Sequence, residues 1–297
     1  FTADCRRSMF VICAGCVLMF LFLRGKLQAR YFVGLVLVLC LFDLWIVNKR
    51  YLNDEMFVEA SVKDQPVGKD GSINFILNDK SLGYRVLNLS KSTFNENETS
   101  YYVNSIGGYH AAKLRRYQEL VDAYIHKEMN GVFSSVSKAQ GDMTKVNGDS
   151  IFPVLNMLNA KYFILPLEGG QTVPITNPYV YGSAWLVDKV TYVDNANKEL
   201  DGLSSMQLRH EAVADKKFSD VLGGSVKQEG ESVVTLKVYG PNHAEYDVRS
   251  SKGGVVVFSE IYYPGWTATV DGEPVEVGRV NYVLRAIKVK PGNHKVV

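Results

Sequence analysis

The chain has 297 residues, enough for more than one domain of about 100–200 residues. Its 33 Lys and Arg against 31 Asp and Glu give a formal charge of +2. Seven basic and two acidic side chains fall within residues 1–50, which leaves 26 basic and 29 acidic beyond them, so no nucleic-acid surface is expected.

The first elements are apolar. SMFVICAGCVLMFLFL (8–23) carries no charge and YFVGLVLVLCLFDLWIV (31–47) carries only Asp43. A membrane-spanning helix takes roughly 17–25 apolar residues, and neither segment has the polar stripe of a soluble helix, so residues 1–50 read as a transmembrane hairpin. Arg24, Lys26 and Arg30 crowd the turn, with Arg6 and Arg7 before the first span and Lys49 and Arg50 after the second. Positive charge favours the cytoplasmic side, which puts the turn inside and the large following region outside. Asp43 lies near the external end, where it either reaches water or pairs with Lys49 or Arg50, as an interfacial anchor with Trp45 beside it in the aromatic belt. Cys5, Cys13, Cys16 and Cys40 all lie in or beside the spans. Cys13 and Cys16 have C-x-x-C spacing, but no second pair, histidine or βαβ pattern accompanies them to make a redox or metal site. A chain that opens almost directly into a span and stops within strand-like sequence reads as a piece of a longer membrane protein.

Residues 51–231 read as an α/β domain. YRVLNL (84–89), KYFILP (161–166) and AWLVDKVTYV (184–193) are β-branched and aromatic runs bounded by turn residues. Between them, Ala112 to Tyr124 places Leu114, Tyr117, Val121 and Tyr124 on one helical face, and IFPVLNMLNA (151–160) leads into its strand in the same way. Residues 130–150 are rich in Ser, Gly, Asn and Asp and read as a loop or weak helix. From Ser232 the helical period disappears. Short runs separated by turn clusters, including Asp271-Gly272, predict a β-sandwich over 232–297, with Val234, Leu236, Val238 and Trp266, Ala268, Val270 pointing inward. The fold class is therefore two transmembrane helices, an α/β domain and a C-terminal β-sandwich.

Two stretches hold candidate sites. In NSIGGYHAAKLRRYQEL (104–120), Asn104 or Ser105 caps a helix that Gly107 and Gly108 lead into; its free amides would attract an anion, supplemented by His110, Lys113 and Arg116. The other reading is a capped helix with a solvated basic face. Towards the C-terminus, Arg285 is in phase with Val283, Ile287 and Val289, which aims it at the apolar face and requires a partner, Asp271 or Glu260. Trp266, after Pro264-Gly265, either packs in the core or stacks on a sugar ring. No phosphate-loop, dinucleotide, metalloprotease or zinc-ligand spacing occurs.

Three passages resemble the bacterial YfhO-type membrane proteins, polytopic relatives of the GT-C glycosyltransferases: residues 104–120, LNMLNAKYFIL (155–165), and YYPGWTATVDGEPVEVGRVNYVLRAIKVKPGNHKVV (262–297). The last carries Trp266, Asp271, Asn281 and Arg285. FDLWIVNKRYLN (42–53) fits the family's passage from membrane to external domain. The resemblance implies sugar transfer from a polyprenyl-phosphate carrier to a cell-envelope polymer or lipid at the bacterial cytoplasmic membrane. A lipid-linked sugar is then the donor, no other cofactor is implied, and any divalent metal is left open. Membrane lipid, an envelope acceptor and other membrane proteins are the expected partners. It further implies a catalytic acid in a loop upstream of this chain, so no residue here is assigned catalysis. The alternative is a non-catalytic glycan- or protein-binding module.

Overall fold

The computed structural model describes residues 2–64, 67–228 and 232–297. It divides into two compact units, Phe1–Gly68 and Lys69–Val297. In the first, α1 (Thr2–Leu23) and α2 (Ala29–Tyr51) form a hairpin that buries no residue of either helix. Both are long and apolar enough to cross a membrane: at about 1.5 Å rise per residue each spans the roughly 30 Å hydrocarbon core. Phe22 and Phe32 stack at 4.7 Å beside the turn. At the open end Arg7 Nε lies 2.9 Å from Asp43 Oδ1, Arg7 also reaches Asp4, and Asp4 pairs with Arg50. The partner of Asp43 is thus Arg7 from the neighbouring helix and not Lys49 or Arg50. Antiparallel packing sets residue 7 opposite residue 43, while Lys49 lies over the Trp45 ring.

The second unit begins with α3 (Gly71–Leu77), whose first turn is capped by Asp70 Oδ1 accepting from Ile73 N at 2.7 Å. There follow β1 (Arg85–Asn88), α4 (Glu98–Tyr102) and a long helical stretch. That stretch runs through α5 (Arg115–Leu120), a π-helical turn (Val121–Ile125) and α6 (His126–Lys138). Next come α7 (Gly148–Ile151), α8 (Pro153–Met157), β2 (Ala160–Pro166) and β3 (Thr172–Thr176). β1 pairs parallel with β2, and β2 antiparallel with β3.

The run 184–193, expected as one strand, is two. β4 (Ala184–Val187) pairs with a sandwich strand, whereas β5 (Lys189–Val193) pairs in parallel with β6 (Glu211–Asp215) across α9 (Ala196–Gly202). Asp188 makes the break: its amide donates to His210 O, and its carboxylate accepts from Gln228 N at 2.7 Å. After α10 (Ser219–Leu222) the sandwich forms. One sheet has the order β11 (Glu273–Val275), β10 (Ala268–Val270), β14 (Gly292–Val296), β8 (His243–Ser250), β7 (Val233–Gly240). The other is β12 (Gly278–Val280), β13 (Leu284–Val289), β9 (Gly254–Ile261), β4.

Tyr246, Val248 and Val296 of the first sheet meet Val256, Phe258, Ile287 and Val289 of the second. The opposite face of that second sheet, with Val255, Val257, Leu284 and Ala286, joins the larger core built with α5–α8, β2 and β6. Burial on both faces accounts for the unbroken apolar run Val255-Val-Val-Phe258, which has no polar alternation. With β4 inside the sandwich sheet and one core packed against that sheet's back, residues 69–297 form one compact unit. A bulge between Leu236 and Val238 corrects one inward residue: Leu236 packs inward, and Val238 turns out to 43% exposure.

Candidate functional site

The helix expected from Ala112 starts at Arg115, so Gly107 and Gly108 do not lead into it. Their amides and the next are already engaged: Gly107 N donates to Ser105 Oγ (3.1 Å), Gly108 N to Thr93 O (2.7 Å) and Tyr109 N to Glu96 O (2.9 Å). The glycines are there for close approach. A Cβ on Gly107 would lie 1.9 Å from the Thr93 carbonyl oxygen, so Gly107→Ala is expected to destabilise the second unit by about 1–3 kcal/mol or more, read as a lowered urea midpoint. An unchanged midpoint would show that the 93–96 loop yields freely.

His110 Nδ1 accepts from Ala112 N (3.0 Å), and Lys113 lies over the Phe94 ring. Arg116 turns inward to Glu199 Oε2 and Tyr282 O, both at 3.3 Å, and stacks on the Tyr282 ring. Fully buried Glu199, on α9, also takes Arg279 Nη2 (2.9 Å) and Tyr282 N (3.3 Å). Asn281 locks the β12–β13 turn to β6, exchanging bonds with Val213 N (3.0 Å) and Val213 O (2.7 Å). Asn281 and Tyr282 both adopt positive φ, 49° and 70°, a conformation stable here because these contacts over-determine it. Tyr282 OH donates to Glu119. Arg116 and Asn281 therefore serve this buried junction.

Asp271 and Gly272 form the expected hairpin turn, with φ of 54° and 88°. Asp271 pairs with His294 Nδ1 at 2.7 Å, which lowers the carboxyl and raises the imidazole from their ordinary values. Of the two partners expected for Arg285, Asp271 is thus occupied elsewhere and Glu260 is the one it meets.

Between the two sandwich sheets opens a cleft of about 950 Å³. Tyr246 and Phe258, edge to face at 4.9 Å, line it on the apolar side. Its polar wall joins β9 and β13. Glu260 Oε1 accepts from Arg85 Nη2 (3.0 Å) and Tyr239 OH (3.2 Å), and Oε2 lies 3.4 Å from Arg285 Nη2. Arg85 Nη1 is held by the carbonyls of Leu158 and Ser259. The Arg285 guanidinium carbon lies over the Trp266 ring, 4.1 Å from its centroid. Burial lowers the Arg285 guanidinium, with Glu260 opposing that shift, while burial and then the Glu260 charge raise Tyr239.

Trp266 stands just before β10, which starts at Ala268, and just after Gly265, at φ 97°. Half-buried at the cleft, it belongs to neither core. Of the candidate residues, the structure brings Asn104, Trp266 and Arg285 together here, from two distant passages; Gly107, Gly108, His110, Lys113, Arg116, Asp271 and Asn281 lie elsewhere. Glu260 was legible as a partner; Arg85 and Tyr239 carried no signal, since only the fold brings them to Glu260.

Residues 203–297 match the model of the family described as bacterial membrane protein YfhO. Over that stretch the chain is similar to the YfhO family. The YfhO segment contains β6, α10 and strands β7–β14, hence most of the cleft wall, including Tyr239, Glu260, Trp266 and Arg285; Arg85 and Asn104 lie before it. No curated protein and no solved structure matches the chain.

Proposed function

We propose that this YfhO-like membrane protein takes part in transferring a sugar from a polyprenyl-phosphate carrier to a cell-envelope polymer or lipid, and that the inter-sheet cleft holds a saccharide unit of donor or acceptor. The carrying observation is the cleft itself. A tryptophan ring, suited to the C–H face of a pyranose, stands beside Arg285, Glu260 and Tyr239, whose polar groups suit its hydroxyls, in a space within the roughly 300–1,000 Å³ of ligand sites. The two apolar helices and the family match support the membrane setting. An extracytoplasmic placement of the region after α2 takes Arg24, Lys26 and Arg30 of the short α1–α2 turn as the cytoplasmic cluster, against two basic residues on each outer flank. The glycine stretch at 107–108 does not enter this reading, because its amides are engaged.

A second reading, a non-catalytic module that binds envelope glycan, is favoured by the state of Glu260. Both its oxygens are held by Arg85, Tyr239 and Arg285, so it is not free to act as the acid or base of glycosyl transfer.

The test is binding of a short-chain polyprenyl-phosphate sugar, and of envelope-derived oligosaccharide, to the full chain in detergent, with Trp266→Ala beside the parent. Loss of an aromatic anchor is expected to weaken binding at least about tenfold with the fold intact. Binding of oligosaccharide alone selects the second reading, and no binding of either ligand defeats both.

A further inference from the structure

The β10–β11 hairpin forms one wall of the cleft. Thr267, Ala268 and Thr269 line that wall, and Ala268, Val270 and Val275 pack on the sandwich core. The turn of the hairpin, Asp271-Gly272, is exposed, and Asp271 ties it to β14. Asp271 N donates to Lys295 O (2.8 Å), its Oδ1 accepts from Lys295 N (2.8 Å), and its Oδ2 meets His294 Nδ1 (2.7 Å).

Both ring nitrogens of His294 face an acceptor: Nδ1 has the Asp271 carboxylate, and Nε2 has the Lys290 carbonyl oxygen at 2.9 Å. A neutral imidazole carries one N–H, so it satisfies one of these acceptors and turns a lone pair on the other. Only the imidazolium donates to both. The ring is 13% exposed, so water replaces a lost bond poorly. Other charged groups about the ring are engaged or turned away. On β14, Lys295 is bound to Glu245 at 2.8 Å. On β8, Asp247 and Arg249 flank Val248, the residue opposite His294, and so stand on the other face of the sheet, Asp247 with Lys237. On the hairpin, Glu273 lies beyond the turn and is exposed.

We infer that His294 is a pH-dependent latch: as the imidazolium it fastens the β10–β11 hairpin, and with it one wall of the cleft, to β14, and as the neutral ring it lets the hairpin loosen. The inference is independent of what the cleft holds. The sign follows from the same contacts. Asp271 raises His294 above its ordinary 6.5, so the latch is complete below that value and is lost as the pH rises through the higher folded one. His294 in turn lowers Asp271 from 3.8, so this partner stays charged until the pH falls below that.

Hydrogen exchange of the full chain in detergent, read by mass spectrometry on peptides covering 266–277 and 292–297, tests the latch at pH 5.5 and pH 9, with His294→Gln beside the parent. Since other groups titrate over the same range, the reading is the ratio of parent to variant protection at each pH. The parent is expected to be about three- to tenfold better protected at pH 5.5 and nearly equal to the variant at pH 9. Asp271→Asn, which keeps an oxygen for the Lys295 amide and removes the charge, is expected to give the same pattern and keeps the test open if His294→Gln does not fold. A ratio that is the same at both pH values, or a parent no better protected than the variant at pH 5.5, overturns the latch.

Discussion

Glu199→Ala is expected to cost the 69–297 unit about 3–5 kcal/mol, the scale for removing one partner of a buried ion pair. The carboxylate has no exposure and Arg279 only 8%, so the variant strands a guanidinium in the core with Asp215, at 3.9 Å, as its remaining counter-charge. Tyr282 N loses its acceptor at the same time. Arg116, 34% exposed, can turn to water and contributes less. A double variant, Glu199→Leu with Arg279→Met, is expected to recover much of the loss, since an apolar pair of similar volume escapes the desolvation cost altogether. Urea unfolding of the full chain in detergent measures both; a loss below about 1 kcal/mol for Glu199→Ala would mean that the junction is not held by this charge. The consequence reaches the cleft. Tyr282 sits in the turn that feeds β13, three residues before Arg285, so loosening that turn should also weaken ligand binding by displacing the guanidinium.

Periodicity alone made much of this fold legible. The two spans, β1, β2 and the sandwich strands follow from apolar runs and their turns. What escaped depends on contacts distant in sequence. Asp188 splits a run of ten strand-like residues because His210 and Gln228 bind it, and neither is near it in the chain. The bulge that exposes Val238 lies inside a perfectly alternating stretch. At 104–120 the residue types of a helix start are present, yet Leu114 is still extended, and the glycines are committed to the 93–96 loop. Arg285 was legible as a buried arginine in need of a carboxylate, and its phase with Ile287 and Val289 is what aims it into the cleft. The Arg279–Glu199 pair left a fainter trace. So did Glu128: it stands on the stripe of Val121, Ile125, Val132 and Val136, where an acidic residue in apolar phase signals a buried partner.

Glu128 yields the second large effect, and its sign follows from the structure. Only 5% exposed, it accepts from Val154 N at 3.0 Å and Leu155 N at 2.8 Å, the first free amides of α8 after Pro153. It thus caps a helix whose own N-cap residue, Phe152, has no side-chain acceptor. Burial pushes its carboxyl up to about 8, against the pull of those two amides. The unfolded chain releases this proton near the ordinary value of 4.5 and the folded chain near 8, so between those limits the folded state holds more protons and stability falls as pH rises. The full fall is about 5 kcal/mol, and the curve flattens above about pH 8. Glu128→Gln cannot titrate and presents an N–H group to one of the two amides, which is expected to cost about 1–3 kcal/mol at pH 5. Its stability should then change little up to pH 8 while the parent's declines, so the two curves converge and the variant's deficit shrinks or reverses. Urea midpoints at pH 5, 6.5 and 8 decide the matter: a constant gap between parent and variant would mean that Glu128 is ionised throughout and that the two amides outweigh its burial.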